Sequence, residues 1–297
     1  MIDKLKNLKT EKQNINSNDI DQKSINEILC IINNEDQSVP QVIKKSIPEI
    51  EKAVMLCVNA LKNNGRVFYI GSGTSGRLGV LDASEIPPTF STPNDWFIGI
   101  IAGGDNALRN SIENAEDNTL NSIVDLKKYK FNSNDLLIGI SCSGASHYVI
   151  SALDYGISIK SKTIYLVTNS QPMYKTNVHL FIKIDTGAEI ITGSTRMKGG
   201  TATKLILNMI STATMIRLGK VYGNLMVDLK TVNKKLILRA IKIIINICKV
   251  DYETARHTLN LSEGKVKIAV IMIEHACNIN DAKRLLRDNN EKLRGLI

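Results

Sequence analysis

Three polar loops, rich in hydroxyl groups, hold the residues of this chain that are best suited to bind an anion. Two of the loops follow short apolar runs, at residues 67–70 and 136–140. A strand that turns sharply into a helix leaves backbone N–H groups at the positive end of that helix, where a phosphate is stabilised. The pattern therefore predicts a phosphate pocket, with these side chains as ligands: Ser72, Thr74, Ser75, Ser141, Ser143, Ser146, Ser194, Thr195, Arg196 and Lys198.

The alternative for any single serine is an ordinary helix N-cap, and for Arg196 and Lys198 it is a solvated surface charge. The first loop also fits the dinucleotide fingerprint G-x-G-x-x-G at Gly71, Gly73 and Gly76. That fingerprint requires an acidic residue about 20 positions further on, and the first candidate, Asp105, lies too far along the chain. Hydroxyls in the intervening positions favour a phosphosugar over a dinucleotide.

Four carboxylates near these loops are candidates for acid and base chemistry. Glu85 precedes Ile86 and two prolines, so the pattern places it at a rigid helix exit, where a glutamate is usually solvated. Glu113, Glu116 and Asp117 share a predicted helix over residues 106–117, and the residues alone do not choose between them. No histidine stands at a spacing that would make a hydrolase triad with Ser75.

The composition excludes several other classes of protein. The formal net charge is +9, but the lysines are spread along the chain without interleaved aromatic residues, so no nucleic-acid partner is expected. The five cysteines are single and the four histidines form no ligand pair, so no metal site and no disulfide are expected. The first residues lack an apolar leader and no run is long enough to span a membrane. A cytoplasmic protein without a membrane partner is expected.

Apolar runs alternate with helical patterns, which predicts an α/β fold with a parallel sheet flanked by helices. Strands are expected at 67–70, 96–102, 136–140, 163–168 and 179–184, with their loops meeting at one crevice. Residues 1–22 are expected to be a loosely held arm. Capping boxes at Ser24 and Ser46 begin two helices, the first of them short, and Gly65 ends the second in the left-handed conformation. Long helices are expected over 201–218 and 228–249, and a small all-helical subdomain follows.

Four long stretches of the sequence occur in this order: YIGSGTSGRLGVLDASEIPPTF, IAGGDNALRNSIENAEDN, TGSTRMKGGTATKLILNM and RLGKVYGNLMVDL. They resemble the N-acetylmuramic acid 6-phosphate etherases, a family of sugar isomerase (SIS) domain proteins. The resemblance runs from Thr10 nearly to the end of the chain. It implies an SIS domain over residues 52–222, between an N-terminal arm and helix (1–51) and a helical C-terminal region (223–297).

The resemblance implies cleavage of the D-lactyl ether of N-acetylmuramic acid 6-phosphate, without a metal or organic cofactor. The family's two acid/base glutamates fall on Glu85, in DASE, and on Glu116, in AED. The resemblance assigns Glu85 to protonation of the departing lactate and leaves Glu116 as the base at C2. It also places the phosphate on Ser75 and its neighbours and on the serines of the second loop.

The chain departs from the family pattern S-G-R-T-P-Y in the second loop. Ala145 lacks the cation and His147 replaces the proline. These changes are expected to affect affinity or the choice of sugar more than the type of reaction. Two rival functions fit the same fold: a sugar-phosphate sensor similar to the glucokinase regulatory protein, and an aldose–ketose isomerase. The family also implies a homodimer with its site at the subunit interface.

Overall fold

Five parallel strands form the central sheet, as the alternating pattern predicts. The computed structural model describes residues 8–231 and 233–297. The strands lie in the order β2-β1-β3-β4-β5, so β2 is added on one side of β1, and the chain then passes to the other side for β3, β4 and β5. All neighbouring pairs are parallel. The strands are β1 (Val67–Gly71), β2 (Phe97–Ile101), β3 (Leu136–Ile140), β4 (Lys162–Val167) and β5 (Leu180–Lys183).

Helices connect β1 to β2, β2 to β3 and β3 to β4, and helices also make up most of the C-terminal part of the chain; residues 168–179 join β4 to β5 without a helix. A short antiparallel pair, β6 (Val221–Tyr222) and β7 (Leu225–Met226), lies between two of the helices. The helices are α1 (Ile25–Lys44), α2 (Ile47–Lys62), α3 (Gly73–Phe90), α4 (Thr119–Lys128), α5 (His147–Ser158), α6 (Lys198–Arg217), α7 (Lys234–Cys248), α8 (Tyr252–Leu261), α9 (Val266–Glu274) and α10 (Ile279–Asp288). In the part of the chain that the structure describes, no helix is both long and apolar enough to cross a membrane.

The chain divides into two compact units, and the division falls inside α3 and α6. The first unit contains the described residues up to Ser84 together with Asp95–Ser211, and the second contains Glu85–Asn94 with Thr212–Ile297. The sheet belongs to the first unit. The second unit has an apolar core of its own, formed by side chains of α7 to α10, so its helices bury their apolar faces against one another.

Several predicted helix ends are confirmed. Ser24 and Glu27 form the predicted capping box, in which each side chain bonds the other residue's backbone N–H. The helix that it begins is twenty residues long rather than short, and it continues through Pro40. The all-helical region predicted after residue 249 contains three helices, α8 to α10.

Other local predictions are wrong. Ser46 makes no capping box, because its hydroxyl donates to the carbonyl of Lys183 at 3.3 Å. At the end of α2 the residue in the left-handed conformation is Asn64, with φ 58°, and not Gly65. Gly65 instead allows the backbone of Asn134 to pack closely against it. A Cβ on Gly65 would lie only 2.0 Å from the carbonyl oxygen of Asn134. The helix predicted from residue 228 starts at Lys234, where Asn233 caps it; Val232 lies outside the described residues.

The N-terminal segment is not a loose arm where the structure describes it. Residues 8–22 form three short 3-10 turns, and residues 1–7 lie outside the described part of the chain. Leu8, Thr10, Asn14 and Ser17 are buried. The Ser17 hydroxyl donates to the carbonyl of Ile190 at 2.7 Å. These contacts tie the segment to the loop that precedes α6.

Candidate active site

The first two hydroxyl loops emerge side by side from the carboxyl edge of the sheet. β1 and β3 are neighbours, and Gly71 at the end of one strand lies opposite Ile140 at the end of the other. Ser72 of the first loop contacts Ser146 of the second, and their hydroxyl oxygens are 2.8 Å apart. Two residues that are 74 positions apart in the chain therefore meet, and the two loops lie against each other at this edge of the sheet.

Cys142 links the second loop to the other two. Its thiol is buried and lies 3.6 Å from the Ser75 hydroxyl of the first loop. The same thiol donates to the carbonyl of Thr195 in the third loop at 3.8 Å and lies 3.9 Å from the Thr203 hydroxyl. The three loops predicted to bind phosphate are thus brought together around one sulfur atom.

The beginning of α3 is tight and exposes backbone rather than side chains. Gly73 has φ 52°, in the left-handed region that favours glycine. A Cβ on Gly71 would lie 2.7 Å from the backbone nitrogen of Gly76, so the turn leaves no space there for a side chain. This geometry places the first N–H groups of α3 beside the Ser72 and Ser75 hydroxyls, an arrangement suited to the oxygens of a phosphate.

The cations of the third loop differ from each other. Arg196 is exposed, and its guanidinium has no partner within the described residues. Lys198 is buried and its ammonium donates to Glu35, which also accepts bonds from Asn14 and Asn16 at 2.8 Å each. The positive charge of Lys198 is therefore already balanced, whereas that of Arg196 is available.

Glu189 occupies the start of α6. Its fully buried carboxylate accepts the backbone N–H groups of Lys198 and Gly199 at 2.9 and 2.8 Å. Burial raises the pKa of this carboxyl in spite of those bonds. The N-terminus of α6 is thus filled by a side chain of the protein, so the phosphate is expected at the first two loops.

Glu116 lies beside the second loop. The helix predicted over residues 106–117 is wrong, because Gly103 and Gly104 have positive φ and only two 3-10 turns form, Asp105–Leu108 and Ala115–Asp117. Glu116 lies on the second turn, and its carbonyl accepts the Ser146 hydroxyl at 3.3 Å. Its carboxylate is exposed and makes no hydrogen bond within the described residues.

The surroundings of Glu116 favour its protonated form. Desolvation by the nearby protein raises the pKa of Glu116 although its surface is exposed, and the charges of Asp117 and then Glu113 raise that pKa further. His147 opposes the shift. A carboxylate with a raised pKa and no partner is a stronger base than an ordinary glutamate.

Glu85 lies on α3, three turns beyond the first loop. The predicted helix exit at this residue is wrong, because α3 continues through Pro87 and Pro88 to Phe90. The Glu85 side chain is exposed, and its carboxylate has no partner in the part of the chain that the structure describes. Glu85 belongs to the second unit, whereas Glu116 and the hydroxyl loops belong to the first.

Cys142 and Asn169, which the sequence analysis did not name as site residues, follow β3 and β4 at the same edge of the sheet, and His147 begins α5. Cys142 was counted only as a single cysteine, and nothing local in the sequence marks it. Asn169, which follows β4, is fully buried and its side-chain NH₂ has no partner in the described chain. His147, at the departure from the family pattern, lies with its Nδ1 3.1 Å from Asp117 Oδ1. Polar residues directly after β4 are the one signal that would have found Asn169.

Comparison with known proteins gives the family. The N-acetylmuramic acid 6-phosphate etherase of Actinobacillus pleuropneumoniae serotype 5b is 45% identical over 99% of this chain and 97% of that protein. The protein of the same name from Oceanobacillus iheyensis is 48% identical over 95% of each chain. The chain belongs to the N-acetylmuramic acid 6-phosphate etherase family. The resemblance on which the sequence analysis relied is therefore confirmed.

Two further matches were found for this etherase-family chain. Residues 49–157 match the family model of the glucokinase regulatory protein N-terminal SIS domain. That range includes the first two hydroxyl loops and the turn with Glu116. Among solved structures, the phosphoheptose isomerase GmhA from Neisseria gonorrhoeae is similar, at 17% identity and a TM-score of 0.49, over 64% of this chain and 98% of that one.

Proposed function

We propose that this chain cleaves the D-lactyl ether of N-acetylmuramic acid 6-phosphate and releases N-acetylglucosamine 6-phosphate and D-lactate. The observation that supports this best is the junction of the first two hydroxyl loops at Ser72 and Ser146, where the Ser146 hydroxyl also bonds the backbone carbonyl of Glu116, a residue whose carboxylate is unpartnered within the described residues. The direct test is an enzymatic assay for D-lactate, with the purified protein and the phosphorylated sugar ether as substrate.

In this proposal the reaction begins with the open-chain sugar, whose aldehyde makes the C2 proton removable. Glu116 takes that proton, and the lactate oxygen leaves C3 as Glu85 protonates it, which produces a C2–C3 double bond. Water then adds by the reverse steps: Glu85 removes a proton from the water that attacks C3, and Glu116 returns a proton to C2. Atoms balance without an external oxidant or reductant. The raised pKa of Glu116 suits a base that must hold the proton between the two stages.

Ser75 and Ser143 are proposed to bind the phosphate. Ser75→Ala and Ser143→Ala are each expected to weaken binding of the phosphorylated sugar by about 1–3 kcal/mol, because each removes one charge-assisted hydrogen bond. Calorimetry with N-acetylglucosamine 6-phosphate measures this. Ser158→Ala, whose hydroxyl only bonds the carbonyl of Tyr155, is the matched control. Full affinity in both loop variants would mean that the anion binds elsewhere.

The pH dependence is expected to follow Glu116. Because its pKa is raised, the acidic limb of kcat/KM should lie above the ordinary glutamate value of about 4.3. Glu113→Gln removes a charge that raises this pKa, so the limb should move to lower pH. His147→Gln removes a group that lowers it, so the limb should move to higher pH. If the acidic limb of kcat/KM moves in the same direction in both variants, a group other than Glu116 determines its pH.

The enzyme is proposed to be a homodimer whose sites lie at the subunit interface. The turn with Glu116 belongs to the first unit, with the hydroxyl loops, whereas Glu85 belongs to the second unit. Two glutamates that act on neighbouring carbons must lie close together. Donation of Glu85 to the site of a second copy satisfies that requirement.

We further propose a cytoplasmic location for the enzyme, because sugar phosphates are metabolised in the cytoplasm.

The two rival functions make different predictions in the same assays. An isomerase would interconvert phosphorylated aldoses and ketoses and would release no lactate. A sugar-phosphate sensor would bind the phosphosugar without turnover. The unpartnered Glu116 favours catalysis over sensing, because binding alone does not require a free carboxylate next to an anion.

A further inference from the structure

The second unit contains a cavity of about 450 Å³ whose lining residues all belong to that unit. Val227, Leu229 and Ile268 supply an apolar wall, and all three are buried. The charged side chains of the lining come from loops and from two helices, α9 and α10. Its cationic residues are Lys220, Lys265, Lys267, Lys283 and Arg287.

Positive charge exceeds negative charge in this lining. Asp228 and Glu291 are the two carboxylates that face five cations. Asp228 is shared, since its Oδ2 lies 2.7 Å from the ammonium of Lys267 and 3.1 Å from that of Lys220. Glu263, outside the lining, is likewise shared between Lys265 and Lys283, at 3.2 Å from each. Even with Glu263 counted, the cavity retains an excess of cations.

Arg287 adds a cation without a close partner. Its guanidinium lies 3.9 Å from the carboxylate of Asp288, beyond hydrogen-bond distance, and its side chain is 75% exposed. Its donors are therefore free to bind a ligand in the cavity, and a guanidinium matches the geometry of a phosphate group.

Lys267 distinguishes this cavity from an ordinary charged surface. Its side chain is only 4% exposed, and its ammonium also donates to the carbonyl of Glu291 at 2.8 Å. Burial lowers the pKa of Lys267, so the attraction of Asp228 does not fully offset the loss of water. A second anion near this ammonium would offset more of that cost, and its interaction would be weakly screened because the site is partly dry.

We propose that this cavity is a second anion site, which binds a phosphomonoester about the size of a small sugar phosphate. The phosphate dianion suits cations that converge from several segments, and the apolar wall suits a carbon skeleton. All of the lining residues belong to the second unit, so the site is separate from the phosphate loops. Its ligand would act as a regulator rather than as a substrate.

The test is calorimetry on the full chain with two probes, glycerol 3-phosphate and inorganic phosphate. The Ser75→Ala/Ser143→Ala double variant weakens the first site and should leave binding at the second intact. Added to that background, Lys283→Gln and Arg287→Gln should each reduce affinity for glycerol 3-phosphate about tenfold. Both side chains are exposed, so the variants should fold, which melting curves check. Lys242→Gln, an exposed lysine on α7 outside the cavity, is the matched control.

Each outcome decides the proposal. Tighter binding of glycerol 3-phosphate than of inorganic phosphate supports the organic ligand, and the reverse order overturns it. Absence of binding in the Ser75→Ala/Ser143→Ala background would show that the chain has only one anion site. An equal loss in Lys242→Gln and Lys283→Gln would mean that general surface charge, and not the cavity, attracts the anion.

Discussion

Glu116→Ala is expected to lose both lactate release and exchange of the C2 proton, whereas Glu85→Ala should lose only the first. Exchange of the C2 proton of N-acetylglucosamine 6-phosphate with heavy water requires only the base at C2. Lactate release requires that base and an acid for the departing oxygen. Loss of a positioned acid or base costs about 10²–10⁴ in rate, and an alkoxide leaving group makes the acid especially necessary. Proton NMR of the exchange and a D-lactate assay measure the two steps separately.

Glu113→Ala is the control for both variants. Glu113 is exposed on the same segment as Glu116, and its carboxylate is bonded by the Ser111 hydroxyl at 3.2 Å. Its removal should leave the maximal rate near that of the wild type. Loss of exchange in Glu85→Ala with retention in Glu116→Ala would reverse the two roles. Full activity in both the Glu85→Ala and the Glu116→Ala variant would contradict the etherase mechanism proposed for this chain.

The positions of the two phosphate loops could be predicted because their signals are local. Each strand is a short apolar run that stops at glycine or serine, and a helical pattern begins within a few residues. The order of the strands was not available from the sequence, since it depends on which strands pair. The contact between Ser72 and Ser146 follows from the pairing of β1 with β3, and so does the central place of Cys142.

The errors arose where tertiary contacts override local preference. Two prolines should end α3 near Glu85, yet the last turn persists, and Ile86 and Phe90 on that turn are buried. The sequence around Lys198 predicts an unpaired cation, but Glu35, which is distant in sequence, forms an ion pair with it. Residues 106–117 lack a helix because the glycines before them and Asn114 adopt positive φ. Burial and long-range pairing decide these cases, and neither is visible in a window of sequence.

Mixing two inactive variants is expected to restore activity if Glu85 acts in the site of the partner subunit. In a heterodimer of Glu85→Ala and Glu116→Ala chains, one site combines the intact Glu116 of the first chain with the intact Glu85 of the second. The other site lacks both. Random exchange of equal amounts makes half of the dimers mixed, so about a quarter of wild-type activity should return. The reason for this expectation is that Glu85 and Glu116 belong to different compact units of the chain.

The measurement requires subunit exchange, for instance by mild denaturation and refolding of the mixture, followed by the D-lactate assay. Refolding each variant alone is the control and should give no activity. A mixture of Glu85→Ala with Glu85→Ala/Glu116→Ala chains should also stay inactive, because no intact Glu85 is present. If both glutamates served one site within a single chain, every site in the mixed dimers would lack one of them. The mixture would then remain inactive, and the shared site would have to be abandoned even if sedimentation showed a dimer.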